Sequence, residues 1–335
     1  AMHPIEMVDL KRQHLAIRKE LNAAYEEVMN TAGFINGPSV QKFATELEQY
    51  IGAHVVPCAN GTDALQICLM ALKLKPGAKV LVPAFTYVAT AEVAALLGYE
   101  LIFVDVDPED FILTPDEVAK AFEQHPDIQV VVPVHLFGQM APMEPILKLA
   151  KAHGAYVVED MAQAIGAHYS QNGLQGMAGT LGHMSATSFF PSKNLGCMGD
   201  GGAIISPDNG RAAFAKTIAN HGQGEQYVHE EVGVNSRLDG LQAAFLSVKL
   251  KQLDKYIARR QEAAGFYDEC LGQIDGLHTP VRRPYSTHVY HQYTLKWERG
   301  NRDALLNHLA EKGIPAKIYY PIPLYKQKAY QACTF

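Results

Sequence analysis

The 335-residue sequence lacks several features that would place it in a specialised class of protein. Its five cysteines are scattered and form no CxxC pair, so neither a disulfide framework nor a zinc site is indicated. No apolar run approaches the roughly 20 residues that span a bilayer. Asp9, Lys11 and Arg12 interrupt the N-terminus before a signal-peptide core can form. We therefore expect a folded protein of the reducing cytoplasm with no membrane segment and no bound metal.

The composition is that of an ordinary folded chain. Hydrophobic residues make up 48% and charged residues 19% of the sequence. The net charge of −6 gives no reason to expect nucleic acid as a partner. The length predicts one large and one smaller domain, which we place at residues 1–240 and 241–335.

The hydrophobic pattern alternates between strands and helices over most of the large domain. Helical spacing marks two N-terminal helices, at residues 9–30 and 39–50. Short apolar runs then predict buried strands at residues 54–58, 79–82, 101–104, 130–134, 156–158, 185–189 and 202–206. Helical patterns separate or follow them at residues 62–73, 87–97, 115–122, 142–152 and 211–220. Repeated βα units with continuous apolar strands predict an α/β fold with a mostly parallel sheet covered by helices on both faces.

The C-terminal part has fewer and less regular elements. A long helix is predicted from residue 238 to about residue 266, where it would bridge the two domains. Beyond it we predict a strand at 288–296, a helix at 302–312 and a strand at 316–318. These elements would form a small C-terminal α/β domain.

One lysine stands in an unusual setting, the stretch TSFFPSKNLGCMGDGGA at residues 187–203. Few other charges surround Lys193, and desolvation lowers the pKa of an amine and frees its lone pair for Schiff-base chemistry. A turn rich in glycine follows, and it allows close approach to a bound group: Gly196, Gly199, Gly201 and Gly202. The alternative is an ordinary loop lysine between two strands.

Two stretches at predicted strand ends could hold a phosphate and a flat ring, which open α/β sheets bind at this edge. In CANGTDAL, Gly61 and Thr62 begin a helix whose free N–H groups favour an anion. In PAFTYVAT, Phe85 and Tyr87 are candidates to stack on a cofactor. Taken singly, the first stretch is equally typical of a plain capped turn, and either aromatic residue is more typical of the core.

A third strand end carries acidic residues. Glu159 and Asp160 close the strand in VVEDMAQAIGAH, and we expect one of them to face the site. A carboxylate there can keep a pyridine nitrogen protonated and so make the ring an electron sink. Gln163 would contact the ring, and Ser188 would bind the phosphate. Together with Lys193, these groups specify pyridoxal 5'-phosphate, although a helix-capping aspartate remains the alternative for the acid.

Five stretches of the chain carry a family resemblance: NGTDAL, FTYVAT, VEDMAQAIGA, TSFFPSKNLGCMGDGGA and GVNSRLD. In this order they resemble the DegT/DnrJ/EryC1/StrS family of nucleotide-sugar aminotransferases, which are fold-type I pyridoxal-phosphate enzymes. The resemblance implies that Lys193 forms the Schiff base and that Asp160 pairs the ring nitrogen. By the same resemblance, the other cofactor contacts are Gly61, Thr62, Tyr87, Gln163, Ser188 and, from the partner subunit of a homodimer, Asn235.

The resemblance extends to a substrate class. The segments SFFPSK, VNSRLD and YYPIPLYKQ are similar to enzymes that aminate the 3-keto group of a UDP-linked 2-acetamido-uronic acid, in pathways such as lipopolysaccharide O-antigen synthesis. This implies L-glutamate as amino donor, Arg237 as partner of the sugar carboxylate, and Tyr319 and Tyr320 near the nucleotide. A salt bridge at the start of the long helix is the alternative for Arg237. Because the family pattern continues beyond Phe335, we expect the small domain to be incomplete.

Three rival functions remain. A sugar dehydratase on the same scaffold would have lost Lys193, usually to histidine. A nicotinamide oxidoreductase would carry a GxGxxG motif after the first strand, and this chain has none there. A regulatory protein that binds the cofactor without turnover would keep the same motifs, and only its lack of reaction with glutamate would distinguish it.

Overall fold

A seven-stranded sheet organises the chain in a computed structural model that describes residues 5–333. The strands of the structure are β1 His54–Cys58, β2 Lys79–Pro83, β3 Glu100–Val104, β4 Ile128–Val131, β5 Tyr156–Asp160, β6 His168–Gln171, β7 Leu174–Met177, β8 Met184–Ser188, β9 Gly202–Ser206, β10 Gln223–Glu225, β11 Val228–His229, β12 Leu277–His278 and β13 Lys296–Trp297. The helices are α1 Leu10–Ala16, α2 Arg18–Thr31, α3 Pro38–Ile51, α4 Gly61–Ala71, α5 Ala89–Leu96, α6 Pro115–Gln124, α7 Met143–Ala152, α8 Asn209–Ala219, α9 Gly240–Leu250, α10 Leu253–Leu271 and α11 Arg302–Glu311.

The central sheet has the strand order β1-β9-β8-β5-β4-β2-β3, and only β9 runs against the others. The carboxyl ends of the six parallel strands therefore meet at one edge, where the antiparallel β9 begins. Gly202, its first residue, pairs with Cys58 at the end of β1 and with Ser188 at the end of β8. This register brings three separate chain segments together at the edge where α/β sheets bind ligands.

Alternating side chains of the sheet enter two hydrophobic cores, one on each face. Val157 and Ile205 belong to the core that helices α3, α6, α7 and α9 cover, whereas Val158 and Ile204 belong to the core beneath α4, α5 and α8. Because both faces are buried, the strands read as continuous apolar runs. The predicted α/β fold with a mostly parallel, doubly covered sheet is confirmed.

The N-terminal and C-terminal helices depart from the prediction. The chain bends at Ile17, so the predicted helix 9–30 is two helices, α1 and α2. The predicted long helix 238–266 is wrong in the same way, because the backbone leaves the helical ladder near Gln252 and restarts as α10. The first piece, α9, packs against α2 and α3.

Two predicted C-terminal strands are also wrong. In residues 288–296 only the end is strand, because Tyr290 has a positive φ of 47° that takes the chain out of the extended conformation. Residues 316–318 form no strand among the described residues, and prolines on either side, Pro315 and Pro321, cannot donate to a ladder. The helix at 302–312 is confirmed as α11. The division into domains at residues 1–240 and 241–335 stays a prediction.

Candidate active site

The end of β1 forms a small cradle at the start of α4. Asn60 caps the helix, and its Oδ1 accepts a hydrogen bond of 2.8 Å from the amide of Asp63. Among the described hydrogen bonds, none uses the amides of Gly61 and Thr62, which lie in the first turn of the helix. These two amides and the positive end of the helix dipole are suited to a phosphate.

Close backbone approach closes the cradle from a second side. A Cβ on Gly61 would lie 2.7 Å from the Cβ of Ser188, and one on Gly202 would lie 2.4 Å from the carbonyl atoms of Asn60. Side chains larger than hydrogen at either glycine would therefore displace the backbone. The Ser188 hydroxyl, which accepts a hydrogen bond of 3.2 Å from the amide of Phe190, adds a polar group beside the free amides.

The structure separates the two acids at the end of β5. Glu159 is completely buried and accepts hydrogen bonds from the amides of Gly179, Leu181 and Gly182 and from Nε2 of His135. Burial acts to raise the pKa of Glu159, but the hydrogen bond and charge interaction with His135 and the hydrogen bonds from the amides of Gly182 and Gly179 together outweigh it, so the pKa lies below its ordinary value. Glu159 is thus held inside the fold.

Asp160 lies on the opposite side of the strand, toward the site. Its Oδ2 accepts a hydrogen bond of 2.8 Å from the hydroxyl of Thr90, and its Oδ1 accepts one of 3.2 Å from the amide of Ala162. Of the two acids that the sequence offered, Asp160 is the one that interacts electrostatically with Lys193.

Lys193 follows β8 in an irregular loop that its own amide fixes by a hydrogen bond of 2.8 Å to the carbonyl of Phe190. Burial lowers the pKa of Lys193 to about 8, although the Asp160 carboxylate acts to raise it. Near neutral pH the amine can therefore both release and take up a proton, as Schiff-base and acid–base chemistry require.

Aromatic residues border the site on the side of β2. The ring of Tyr320 lies 5.7 Å from that of Phe85 and 6.5 Å from that of Tyr87, measured between centroids. Gln163 links these rings to the segment that follows β4. Its Oε1 accepts a hydrogen bond of 2.6 Å from the amide of Phe137, and its Nε2 donates one of 3.4 Å to the hydroxyl of Tyr320. The structure thus brings Tyr87, Gln163 and Tyr320 together, and Tyr319 packs against Tyr320 edge to face.

The structure places Asn235 and Arg237 on either side of an anchor residue. Ser236 is buried, and its hydroxyl accepts a hydrogen bond of 3.1 Å from the amide of Ala59, next to the cradle. Asn235 is exposed and Arg237 is half-buried. Among residues 5–333 no carboxylate forms an ion pair with Arg237, so the alternative of a salt bridge at the helix start finds no support.

Several residues of this region were missed by sequence reasoning. Thr90 ends the PAFTYVAT stretch, but nothing in that motif shows that its hydroxyl contacts Asp160, which depends on tertiary packing. Lys249 lies on α9 and looks like a solvent-facing residue, yet it is 1% exposed and donates a hydrogen bond of 2.7 Å to the carbonyl of Gly196. Burial lowers the pKa of Lys249 to about 8, with Cys197 acting against this shift. Nothing in the sequence marks His135 or His291 as a functional residue, because a lone histidine in an apolar run is usually a core residue.

The arrangement fits pyridoxal phosphate. A cradle with two open amides and a hydroxyl suits the phosphate, while Asp160 and Lys193 suit the ring nitrogen and the aldehyde. Four buried polar atoms near these segments have no hydrogen-bond partner: Thr86 Oγ1, Thr187 Oγ1, Asn194 Oδ1 and His291 Nδ1. Buried polar atoms are nearly always paired, and a bound polar ligand would supply partners here; four further unpaired atoms of the described residues belong to Glu46, Ser247, Tyr290 and Gln292. The described residues contain no group of three side chains suited to a metal ion, and none of their helices combines the length and apolarity needed to cross a bilayer.

Comparison with known proteins supports the same interpretation. Residues 15–334 match the DegT/DnrJ/EryC1/StrS aminotransferase family. The UDP-2-acetamido-2-deoxy-3-oxo-D-glucuronate aminotransferase of Pseudomonas aeruginosa is 43% identical over 326 residues, which cover 97% of this chain and 88% of that protein. A pleiotropic regulatory protein of Geobacillus stearothermophilus is 41% identical, with coverage of 99% and 88%.

A solved structure extends the likeness to three dimensions. The crystal structure of NtdA from Bacillus subtilis, with bound cofactor PMP, has a TM-score of 0.88 and 28% identity to this chain. The similarity covers 98% of this chain and 75% of that one. The chain therefore belongs to the DegT/DnrJ/EryC1/StrS aminotransferase family, and it is a fold-type I aminotransferase that depends on pyridoxal phosphate.

Proposed function

We propose that this protein transfers the amino group of L-glutamate to the C3 keto group of a UDP-linked 2-acetamido-3-keto-hexuronic acid. The reaction would serve the synthesis of a bacterial polysaccharide, such as a lipopolysaccharide O-antigen, in the cytoplasm. The observation that carries the proposal is the electrostatic interaction of Lys193 with Asp160 at the sheet edge that also carries the cradle of α4. The relative from Pseudomonas aeruginosa, named for this substrate class, supports the choice of sugar.

When bound, pyridoxal phosphate supplies an aldehyde that condenses with amines and a ring that accepts electrons from the adjacent carbon. The chain's part is to hold that group. The amides of Gly61 and Thr62 and the hydroxyl of Ser188 would bind the phosphate, and the carboxylate of Asp160 would accept a hydrogen bond from the ring nitrogen and so keep that nitrogen protonated. Tyr87 and Gln163 would border the two faces of the ring.

Lys193 is the residue that would move protons. Its pKa of about 8 leaves a useful fraction of neutral amine at physiological pH. We assign to it the removal of the proton from Cα of glutamate. We also assign to it the delivery of a proton to C3 of the sugar once the transferred nitrogen is bonded to that carbon. A single base with a pKa near the working pH serves both directions of proton transfer.

Arg237 would select the acidic sugar. Its guanidinium has no carboxylate partner among residues 5–333, and Arg binds a carboxylate through two parallel hydrogen bonds. Tyr319 and Tyr320 would contact the nucleotide from the aromatic border of the site.

The selection is tested by comparing the 3-keto uronic acid with the matching 3-keto hexose, which lacks the carboxylate. Loss of a hydrogen bond to a charged group costs about 1.5–3 kcal/mol, so Arg237→Gln should lower kcat/KM for the acid by about tenfold to a hundredfold. The same change should affect the hexose much less. An equal loss for both sugars would remove Arg237 from this role.

We also propose a homodimer with shared sites, in which Asn235 of each copy reaches the phosphate bound by the other. Asn235 is exposed next to the buried anchor Ser236, as such a role requires. Asn235→Ala should weaken pyridoxal phosphate binding without changing the mass of the particle in solution. A fully active monomer in size-exclusion light scattering would refute the shared site.

The experiment for the function itself uses the purified protein loaded with pyridoxal phosphate. Its violet absorbance should disappear on addition of glutamate, and mass spectrometry should find the aminated sugar among a panel of 3-keto and 4-keto nucleotide sugars. Lys193→Ala should lack both the absorbance and the product. Lys148→Ala, an exposed lysine on α7 that pairs with Glu144, is the control and should behave as wild type.

Two rival functions give different outcomes. A dehydratase would release a deoxygenated sugar and leave no nitrogen in the product, but the intact Lys193 favours transfer. A regulatory protein would bind the cofactor and show no spectral change with glutamate. The buried acid and the lowered pKa of Lys193 favour turnover, because both are costly to maintain for binding alone.

A further inference from the structure

Lys193 lies in the middle of a loop whose two limbs are joined by close backbone contacts. The amide of Cys197 donates a hydrogen bond of 2.8 Å to the carbonyl of Phe189, which closes the loop at its base. Nearer the middle, a Cβ on Gly196 would lie 2.3 Å from the carbonyl oxygen of Pro191. The position of Gly196 therefore affects the backbone on both sides of Lys193.

One face of α9 holds the limb of the loop that follows Lys193. The Nζ of Lys249 donates a hydrogen bond of 2.7 Å to the carbonyl of Gly196. Two helical turns earlier, Oε1 of Gln242 accepts a hydrogen bond of 2.7 Å from the amide of Met198. Residues seven apart lie on the same side of an α-helix, so both contacts come from one rigid surface.

The amine of Lys249 has a second partner on α1. Its Nζ lies 2.9 Å from Nε2 of His14. Desolvation first, and then the charge of Lys249, hold the pKa of His14 below its ordinary value, so a neutral ring is available to accept this hydrogen bond. The amine is thus fixed between His14 on one side and the carbonyl of Gly196 on the other.

No carboxylate compensates for the burial of this amine. Lys249 is almost completely buried, and among residues 5–333 it belongs to no ion pair. Burying an amine without a carboxylate is unfavourable, and an apolar side chain of similar length would avoid that cost. The stability of the fold therefore gives little reason for a lysine here, whereas control of the loop around Lys193 does.

We propose that Lys249 is a positioning residue for Lys193, and that its hydrogen bond to the carbonyl of Gly196, with His14 as second acceptor, fixes the loop that holds the ε-amine of Lys193 against Cα of the amino donor. The inference rests on the proposed function, in which Lys193 moves the proton. Lys249 itself takes part in no chemical step.

The test uses four single variants. Lys249→Met keeps the length of the side chain but cannot donate a hydrogen bond. His14→Leu removes the second acceptor, and His14→Gln keeps an acceptor near the position of Nε2. Val118→Ala controls for a general loss of stability, because Val118 is a buried residue of α6, which packs against α7 and β3. Thermal melting checks that each variant is folded, and all other measurements are made well below the lowest melting temperature.

The first measurement is made on the apoprotein. Hydrogen exchange, read by mass spectrometry in peptides that cover residues 190–199, reports how often the loop opens. Loss of a hydrogen bond from a charged donor should speed exchange of these amides in Lys249→Met by about tenfold to a hundredfold. His14→Leu should give a smaller increase, whereas His14→Gln and Val118→Ala should match wild type.

The second measurement uses the enzyme loaded with pyridoxal phosphate. Single-turnover rates are compared for glutamate and for glutamate deuterated at Cα. Lys249→Met should slow the step by about tenfold to a hundredfold, because small misplacements of a reacting group have effects of this size. The isotope effect should rise, and glutamate affinity should stay near wild type. In the double variant, His14→Leu should add nothing to Lys249→Met, because His14 acts through Lys249.

Other results overturn the inference. Wild-type exchange of the loop amides in Lys249→Met would show that Lys249 does not fix the loop, and a rate no slower than that of Val118→Ala would show that it does not position Lys193. A loss confined to glutamate affinity would refute positioning as well. Further slowing by His14→Leu in the double variant would remove His14 from the mechanism.

Failure of the proposed function has a different signature. A wild-type protein that takes up no pyridoxal phosphate, or leaves glutamate unchanged, would refute that function. Exchange in the apoprotein would still decide whether Lys249 fixes the loop around Lys193.

Discussion

The hydroxyl of Thr90 donates a hydrogen bond of 2.8 Å to Oδ2 of Asp160, and both side chains are buried. The amide of Ala162 holds the other oxygen at 3.2 Å. Each carboxylate oxygen has more than one lone pair, so these bonds orient the group and still leave room for the proton of a ring nitrogen. The orientation of Asp160 therefore depends on a residue of α5 that lies 70 positions earlier in the chain.

Replacing Thr90 tests this orientation. Thr90→Val keeps the shape of the side chain but removes the hydrogen bond, and we expect it to weaken pyridoxal phosphate binding by about tenfold, as loss of a bond to a charged group does. Thr90→Ser keeps the hydroxyl and should bind as wild type does. Fluorescence titration of the apoprotein measures both affinities. Equal affinity of the Val and Ser variants would contradict the prediction.

The lowered pKa of Lys193 predicts how the capture of pyridoxal phosphate depends on pH. Only the neutral amine attacks an aldehyde, so the capture rate should rise with pH and level off above a midpoint near 8. An ordinary lysine would reach its midpoint only near about 10.4. Stopped-flow absorbance of the apoprotein provides the curve, measured from roughly two pH units below the expected midpoint to roughly two units above it.

Asp160→Asn tests the effect of the Asp160 carboxylate on the pKa of Lys193. The carboxylate of Asp160 acts to raise the pKa of Lys193, so its removal should move the midpoint to lower pH. A midpoint that moves upward would contradict the assigned interaction.

The close contact of Gly202 with the cradle predicts a strong effect of one methyl group. A Cβ at this position would lie 2.4 Å from the carbonyl of Asn60 and 2.7 Å from the amide of Gly61. Gly202→Ala should therefore displace the start of α4 and weaken pyridoxal phosphate binding by at least about tenfold, whereas Gly265→Ala meets no atom within 4 Å and should leave binding unchanged. Equilibrium dialysis compares the two. Undiminished binding by Gly202→Ala would show that the cradle can adjust.

The buried Glu159 predicts a loss of stability on neutralisation. In Glu159→Gln one oxygen becomes an NH₂ group that cannot accept from the surrounding donors, and the free energy of unfolding should fall by about 3 kcal/mol. Urea unfolding of the loaded protein measures it. Because the pKa of Glu159 is depressed in the folded state, its contribution is present above the ordinary carboxyl pKa and is lost as pH falls through the folded value. The variant should therefore be less sensitive to acid than wild type.

Glu117→Gln is the control for that change. Glu117 pairs with Lys120 on the surface of α6, and such pairs contribute little to stability. Its urea midpoint should match that of wild type. A Glu159→Gln protein as stable as this control would contradict the prediction.

Local patterns were sufficient for the main elements of the large domain. The strands at His54–Cys58 and Gly202–Ser206 were predicted with the bounds that the structure has, because short runs buried on both faces have a distinct composition. The cradle, the acid pair and Lys193 could be predicted for a related reason. The cradle follows β1, the acid pair ends β5 and Lys193 lies in the loop after β8, and parallel strands bring these ends to one edge.

Long-range contacts explain the failures. The strand expected at 288–296 is replaced by an irregular segment that forms hydrogen bonds with Gly138, Asn194 and Arg260, which are distant in the chain. The long helix expected at 238–266 breaks near Gln252, although the sequence there contains neither proline nor glycine, the residues that most often end a helix. Such choices depend on packing partners that periodicity does not identify.

The sequence by itself determined the α/β class and the groups available for cofactor chemistry, because strand burial and strand-end motifs are local properties. The strand pattern left Glu159 and Asp160 open and the family resemblance implied Asp160, but only the tertiary structure shows that Asp160 is the acid that interacts with Lys193. Adjacent residues of a strand point to opposite sides, and which side holds the ligand depends on what packs there. The same reason makes the hydrogen bond between Thr90 and Asp160 visible only in three dimensions, because the fold brings the two side chains together.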